Sequence, residues 1–206
     1  MPAPAAPSPA AIDLQLSGAT HQGAPVLAAM HLRVMPGETV ALTGPSGVGK
    51  TTLLRILAGL HADWQGQCHL PGRVAMVFQE PVLLPWRSAL ENLTLTTDCS
   101  EAAAHLALAQ VGLTHRARAF PGALSLGQQR RLALARAFLV QPEVLLMDEP
   151  FVSLDPALGA EMMALVKDLR RGRDMAVVLV THSAEEAATL AHRTLRLEGR
   201  PARLVA

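Results

Sequence analysis

The stretch Thr39-Val40-Ala41-Leu42-Thr43-Gly44-Pro45-Ser46-Gly47-Val48-Gly49-Lys50-Thr51 decides the fold. Thr39 to Thr43 is a short apolar run of strand character, and it leads straight into a glycine-rich loop matching G-x-x-x-x-G-K-[ST]. After the loop, Leu53, Leu54, Leu57, Ala58 and Leu60 recur at helical spacing, with Gly59 near the expected end of that helix. Strand, glycine loop and helix in this order make a phosphate cradle. Glycines let the backbone curl until several N–H groups point inward, aided by the positive end of the following helix. Lys50 supplies a point charge for β- and γ-phosphates, Thr51 a hydroxyl for Mg²⁺, and Thr52 a donor for an α-phosphate. The candidate nucleotide-binding residues are therefore Gly44, Pro45, Ser46, Gly47, Val48, Gly49, Lys50, Thr51 and Thr52.

Around this unit the chain reads as α/β. Residues 73–78, 144–147 and 176–180 are apolar without alternation, which suits parallel strands covered on both faces. Ile12, Leu14 and Leu16 alternate with Asp13, Gln15 and Ser17, as do Met30, Leu32 and Val34 with their neighbours, the pattern of half-buried strands. Between Glu80 and Gln141 no strand pattern occurs, and apolar positions follow helical spacing, so residues 80–141 read as a helical insert between two parallel strands. Asp98 with Glu101, and Ser183 with Glu186, have the spacing of capping boxes; Asp155 followed by Pro156 opens another helix, whose apolar face runs to Leu169. Thr194 to Val205 reads as a hairpin turning at Glu198-Gly199.

Composition narrows the class. The chain has 206 residues, enough for one sizeable core, and residues 11–206 read as a single domain behind a Pro/Ala-rich, disordered tail over residues 1–10. That start lacks the basic region and continuous apolar run of a secretory signal, and no run of about 18 apolar residues is present to span a membrane. Net charge is +1 with scattered basic residues, so no nucleic-acid footprint is expected; Arg130-Arg131 and Arg170-Arg171-Gly172-Arg173 read as solvated helix faces or last-turn charges. Cys68 and Cys99 could form one disulfide on arithmetic alone, but with no CxxC spacing two reduced thiols are the favoured reading.

Further chemistry lies downstream. Val144-Leu145-Leu146-Met147-Asp148-Glu149 is a buried strand ending in two acids: Asp148 is placed to reach Mg²⁺, and Glu149 to orient or deprotonate an attacking water. Leu124-Ser125-Leu126-Gly127-Gln128-Gln129 resembles the LSGGQ signature of ATP-binding cassette (ABC) proteins, and Ser125 with Gln128 makes a capping box, so the motif is an exposed, anion-binding helix N-terminus. Over residues 11–200 the resemblance extends in order to Gln79, the glutamine that senses Mg²⁺ and water; to Ser153-Leu154-Asp155, the loop in which Asp155 communicates across a dimer; and to His182, which contacts the γ-phosphate. It implies a P-loop NTPase fold of the ABC type: a mostly parallel sheet core, an antiparallel β subdomain and an inserted helical subdomain. It further implies that Ser125, Gly127 and Gln128 close over ATP held by a second copy of the chain, so that hydrolysis needs a homodimer.

Two positions depart from the family pattern. Leu126 stands where glycine is usual; as the first helical residue it needs only helical dihedrals, which leucine adopts readily. The family also stacks an aromatic side chain on adenine, and His21 falls at that place in a chain without tyrosine; it either stacks or is a solvated loop residue. Only 28 residues separate Lys50 from Gln79, a compact version of the antiparallel region, and a long C-terminal extension able to hold a regulatory domain is not expected.

The stretch from Phe78 to Leu93 is similar to that of bacterial nitrate/sulfonate/taurine-type importer ATPases. The resemblance implies an ATPase on the cytoplasmic face of the cell membrane, partnered by integral permease subunits and a substrate-binding protein. Leu83, Leu84 and Trp86 either form the apolar part of a socket for the permease or pack within the helical insert. The alternative from another class is a soluble ABC ATPase acting on ribosomes or nucleic acid; against it stand the single cassette and the absence of long insertions.

Overall fold

A computed structural model of the chain describes residues 10–70 and 72–205. Most of the Pro/Ala-rich start lies outside the described residues; Ala10, read as its last residue, is buried. The elements run β1 (Ile12–His21), β2 (Ala24–Leu27), β3 (Met30–Val34), β4 (Thr39–Thr43), α1 (Lys50–Leu57), β5 (Trp64–His69) and β6 (Val74–Val77). Then come α2 (Ala89–Thr97), α3 (Glu101–Gln110), α4 (Leu126–Leu139), β7 (Val144–Asp148), α5 (Pro156–Arg170), β8 (Ala176–Val180), α6 (Ala184–Leu190), β9 (Arg193–Gly199) and β10 (Ala202–Val205).

The ten strands among the described residues belong to one sheet, in the order β3-β1-β2-β10-β9-β4-β8-β7-β6 with β5 also paired to β1. From β9 to β6 every pairing is parallel, whereas β1 pairs antiparallel with β2, β3 and β5. The continuous apolar runs have a simple reason. Leu145, Met147, Val177 and Leu179 point into a core shared with α4 and α5, while Val144, Leu146, Ala176, Val178 and Val180 point into a second core shared with α1, β1 and β3. Both faces are covered, so alternation disappears. In β1 it survives: Ile12, Leu14 and Leu16 are buried and Gln15 and Ser17 exposed.

Several expectations need correction. Asp98 does not open a helix; it ends α2 in the left-handed region (φ 51°), and Ser100 caps α3 by accepting the Ala103 N–H at 3.2 Å. The hairpin turn is Arg200-Pro201, since Gly199 already pairs with Ala202. The arginine clusters are not solvated faces throughout. Arg130 is buried, and Arg170 turns inward to donate to Thr39 Oγ1 (2.5 Å) and the Gly37 carbonyl (3.1 Å), tying the end of α5 to the start of β4. Strands β2 and β5 carry no apolar alternation that sequence could reveal. Cys68 and Cys99 are both free.

The helical insert presents a loop held from beneath. Ser88 and Glu91 form a full capping box at the start of α2. Asn92, fully buried, accepts the Leu84 N–H (2.7 Å) and donates to the carbonyls of Leu84, Arg87 and Ser88 at 3.0–3.1 Å. Arg136 of α4 holds the preceding residues through the carbonyls of Pro81 and Val82. Trp86 is thereby left 68% exposed beside exposed Val82, while Leu83 packs inward.

Candidate functional site

At the end of β4 the backbone turns at Gly44 with φ 140°, where a Cβ would sit 2.5 Å from the Leu197 carbonyl oxygen; only glycine fits. Gly49, at φ 112°, lies against Val26 and Leu27 of β2, and a Cβ there would stand 2.7 Å from Leu27 Cδ2. Gly49 is also the N-cap of α1. No side chain caps this helix and no acid sits in its first turn, so its first N–H groups face the loop with the positive end of the helix dipole behind them.

Lys50 is buried, and its Nζ donates to the carbonyls of Gly44 (2.9 Å) and Pro45 (3.0 Å). Burial holds its ammonium below the usual lysine range, with Glu149 and Asp148 pulling the other way. The Thr51 hydroxyl donates to Asp148 Oδ1 at 3.3 Å. Burial pushes the Asp148 carboxyl up; the Thr51 hydrogen bond opposes this, and the neighbouring Glu149 adds to it. A group that burial disfavours as an anion is suited to a cation.

Glu149 sits one residue past β7 in the left-handed region (φ 47°), an arrangement that costs a non-glycine residue roughly 1–3 kcal/mol. Its N–H donates to the Val180 carbonyl at 3.0 Å, which locks the ends of β7 and β8 together. His182 Nε2 lies 2.5 Å from Glu149 Oε1. One cleft of about 450 Å³ brings His21, Val26, Ser46, Gly47, residues 49–52, Gln79 and Glu149 together. Val48 is buried beneath the loop, and Asp148 stands behind Thr51. The His21 ring lies 6.0 Å from that of His61, which hydrogen-bonds the Thr20 carbonyl at 2.8 Å.

Thr51, Gln79 and Asp148 offer only oxygen, the donor set of a hard cation such as Mg²⁺. No cluster of three His, Cys, Asp or Glu among the described residues could hold a metal alone.

Ser125, Gly127 and Gln128 are not part of this cleft. Their capping box is formed: the Ser125 N–H donates to Gln128 Oε1 (3.0 Å), and the Gln128 N–H to Ser125 Oγ (3.3 Å). Leu126 occupies the first helical position, 44% exposed. Gly127 has a packing reason of its own, because a Cβ would come within 2.8 Å of Leu158 Cδ2. Asp155 caps α5 through the Leu158 N–H at 3.0 Å.

The Ser183–Glu186 capping box is only half formed. Ser183 Oγ accepts the Glu186 N–H, but the Glu186 carboxylate is taken by the hydroxyl of Thr181, a buried residue that sequence reading passed over.

Residues 27–152 match the ABC transporter family. The chain is 48% identical over 174 residues to an aliphatic sulfonates import ATP-binding protein of Pseudomonas syringae pv. tomato, covering 84% of this chain and 64% of that protein. Its counterpart in Pseudomonas fluorescens is 46% identical over 190 residues, covering 91% and 73%. The chain thus spans under two thirds of the length of the Pseudomonas syringae relative. A dimeric ATP-binding cassette solved in a post-hydrolysis state bound to ADP and Pi superimposes with a TM-score of 0.84 at 28% identity, over 95% of this chain and 97% of that one. With a family match over more than half of its length and a relative 46% identical across 91% of it, this chain belongs to the ABC transporter family.

Proposed function

We propose that the chain is the ATP-hydrolysing subunit of an ABC importer, acting as a homodimer with two MgATP molecules between its copies. The observation that carries this reading is one cleft lined by Lys50, Thr51 and Glu149, with Asp148 hydrogen-bonded to Thr51 behind it and His182 beside Glu149.

The α1 N-terminus and the loop N–H groups hold the phosphates, and Lys50 leaves its loop carbonyls to pair with the β- and γ-phosphates. His21, at the rim, stacks on the base. Thr51, Asp148 and Gln79 are the residues that would hold Mg²⁺, which when bound neutralises charge on the β- and γ-phosphate oxygens. Glu149 orients a water and takes its proton as the water oxygen bonds to the γ-phosphorus and the bridge to ADP breaks. His182, whose Nε2 lies 2.5 Å from Glu149 Oε1, contacts the same γ-phosphate, where it and Lys50 stabilise the developing charge. Ser125 and Gly127 of a second copy complete the site from the far side, and Asp155 lies in the loop that links the two sites.

The work is import of a small molecule, of the aliphatic sulfonate class on the strength of the relatives' names. Exposed Val82 and Trp86 supply the apolar surface for a separate permease at the cytoplasmic face of the membrane, with a substrate-binding protein in the same system. No helix among the described residues is long and apolar enough to cross a membrane. The ribosome or nucleic-acid alternative loses support because Arg130 and Arg170 turn inward.

Glu149→Gln tests this reading. The variant should bind ATP and form a stable ATP-dependent dimer on size exclusion while turning over very slowly. Hydrolysis at the wild-type rate would refute Glu149 as the base.

A further inference from the structure

His182 reaches Glu149 from a three-residue turn between β8 and α6, and that turn is fastened from behind. Thr181, 2% exposed, donates its hydroxyl to the Glu186 carboxylate, and the same hydroxyl oxygen accepts the Ser183 N–H at 2.9 Å. Ser183 Oγ accepts the Glu186 N–H at 3.3 Å, so hydrogen bonds join residues 181, 183 and 186 around His182. Glu186 also lines a pocket of about 360 Å³ with Glu149, Ser153 and His182, beside the nucleotide cleft. Burial pushes its carboxyl up, Thr181 draws it down, and Glu149 and Glu185 push it up again. A helix cap alone would not need a carboxyl kept partly out of water next to another acid.

We propose that Glu186 is a positioning residue for hydrolysis: by holding the Thr181 hydroxyl it fixes the turn that presents His182 to Glu149, without touching the nucleotide. The inference rests on the ATPase reading above.

The test is steady-state ATPase activity and ATP binding for Glu186→Ala, Glu186→Gln, Thr181→Val, His182→Ala and the His182→Ala/Glu186→Ala double variant. Misplacing a reacting group by an ångström costs up to about a hundredfold, so kcat of Glu186→Ala should fall at least about tenfold with KM for ATP nearly unchanged. Glu186→Gln keeps an oxygen for Thr181 and should restore most of the rate. Thr181→Val, close in shape and therefore folded, should be as slow as Glu186→Ala. The double variant should be no slower than His182→Ala alone. Wild-type kcat in Glu186→Ala or Thr181→Val, a Glu186→Gln variant as slow as Glu186→Ala, or additive losses in the double variant would each overturn the proposal. An inactive wild type would instead refute the ATPase reading.

Discussion

Asn92→Asp exchanges one buried NH₂ for an oxygen, and the surroundings make that exchange costly. In the native chain Nδ2 faces three carbonyl oxygens, those of Leu84, Arg87 and Ser88, at 3.0–3.1 Å, while Oδ1 accepts the Leu84 N–H. Aspartate keeps the last bond and sets an acceptor against three acceptors. Each lost bond contributes about 1 kcal/mol net, and a carboxylate so placed escapes its burial only by taking up a proton. A loss of about 3 kcal/mol follows at pH 8, which for a chain of this size lowers Tm by roughly 6–12 °C.

The pH dependence has a definite sign. The new carboxyl has a raised folded-state pKa, so the folded protein binds more protons than the unfolded chain, and the variant regains stability as pH falls. Protonated aspartic acid also returns one donor. Thermal unfolding of wild type, Asn92→Asp and Asn92→Ala at pH 8 and pH 5 provides the assay. An Asn92→Asp variant melting within about 1 °C of wild type at pH 8, where about 3 kcal/mol should appear, would refute the reasoning about this clamp.

Leu126→Gly should leave ATPase activity within about tenfold, a shift of about 1.4 kcal/mol, because the Ser125–Gln128 box already sets the helix start; steady-state turnover checks it. His21→Ala removes the ring at the cleft rim and should weaken ATP binding by up to about tenfold, since a stacked aromatic contributes about 0.5–1.5 kcal/mol, with the preference for ATP over GTP reduced in parallel titrations. Glu186 has a raised carboxyl, so its contribution to stability falls as pH rises from the ordinary glutamate range through the folded value. Glu186→Gln should therefore melt above wild type at pH 8, with the difference shrinking at pH 5 and below in a denaturation series.

Much of this site was legible in the sequence because its parts are local. Residues 44–51 sit between a strand and a helix that their own apolar spacing announces, and the Ser125–Gln128 box needs only a four-residue window. Asp148 and Glu149 follow from the end of a buried strand. What stayed hidden depends on long-range contact. Strand β5, Trp64–His69, is polar and exists because β1 offers it an edge. Arg170 does sit in the last turn of α5, but its contact with Thr39 is invisible to local spacing because Thr39 lies 131 residues away. Glu186 sits three residues past Ser183, as a capping box requires, but Thr181, two residues upstream of that cap, takes its carboxylate. Asp98 lost the cap of α3 to Ser100, a better-placed hydroxyl two residues on.

The central claim is that one chain carries half of a site, its phosphate loop closed by the signature helix of another. Mixing two inactive chains tests it most directly. Lys50→Ala lacks the phosphate-loop charge, and Ser125→Glu sets a negative charge on the signature end. Each alone should be inactive, because both of its sites contain a defect. Mixed, the intact phosphate loop of the second chain meets the intact signature helix of the first, and MgATP hydrolysis should return. A mixture no more active than its separate components, or full activity in Ser125→Glu alone, would contradict the account.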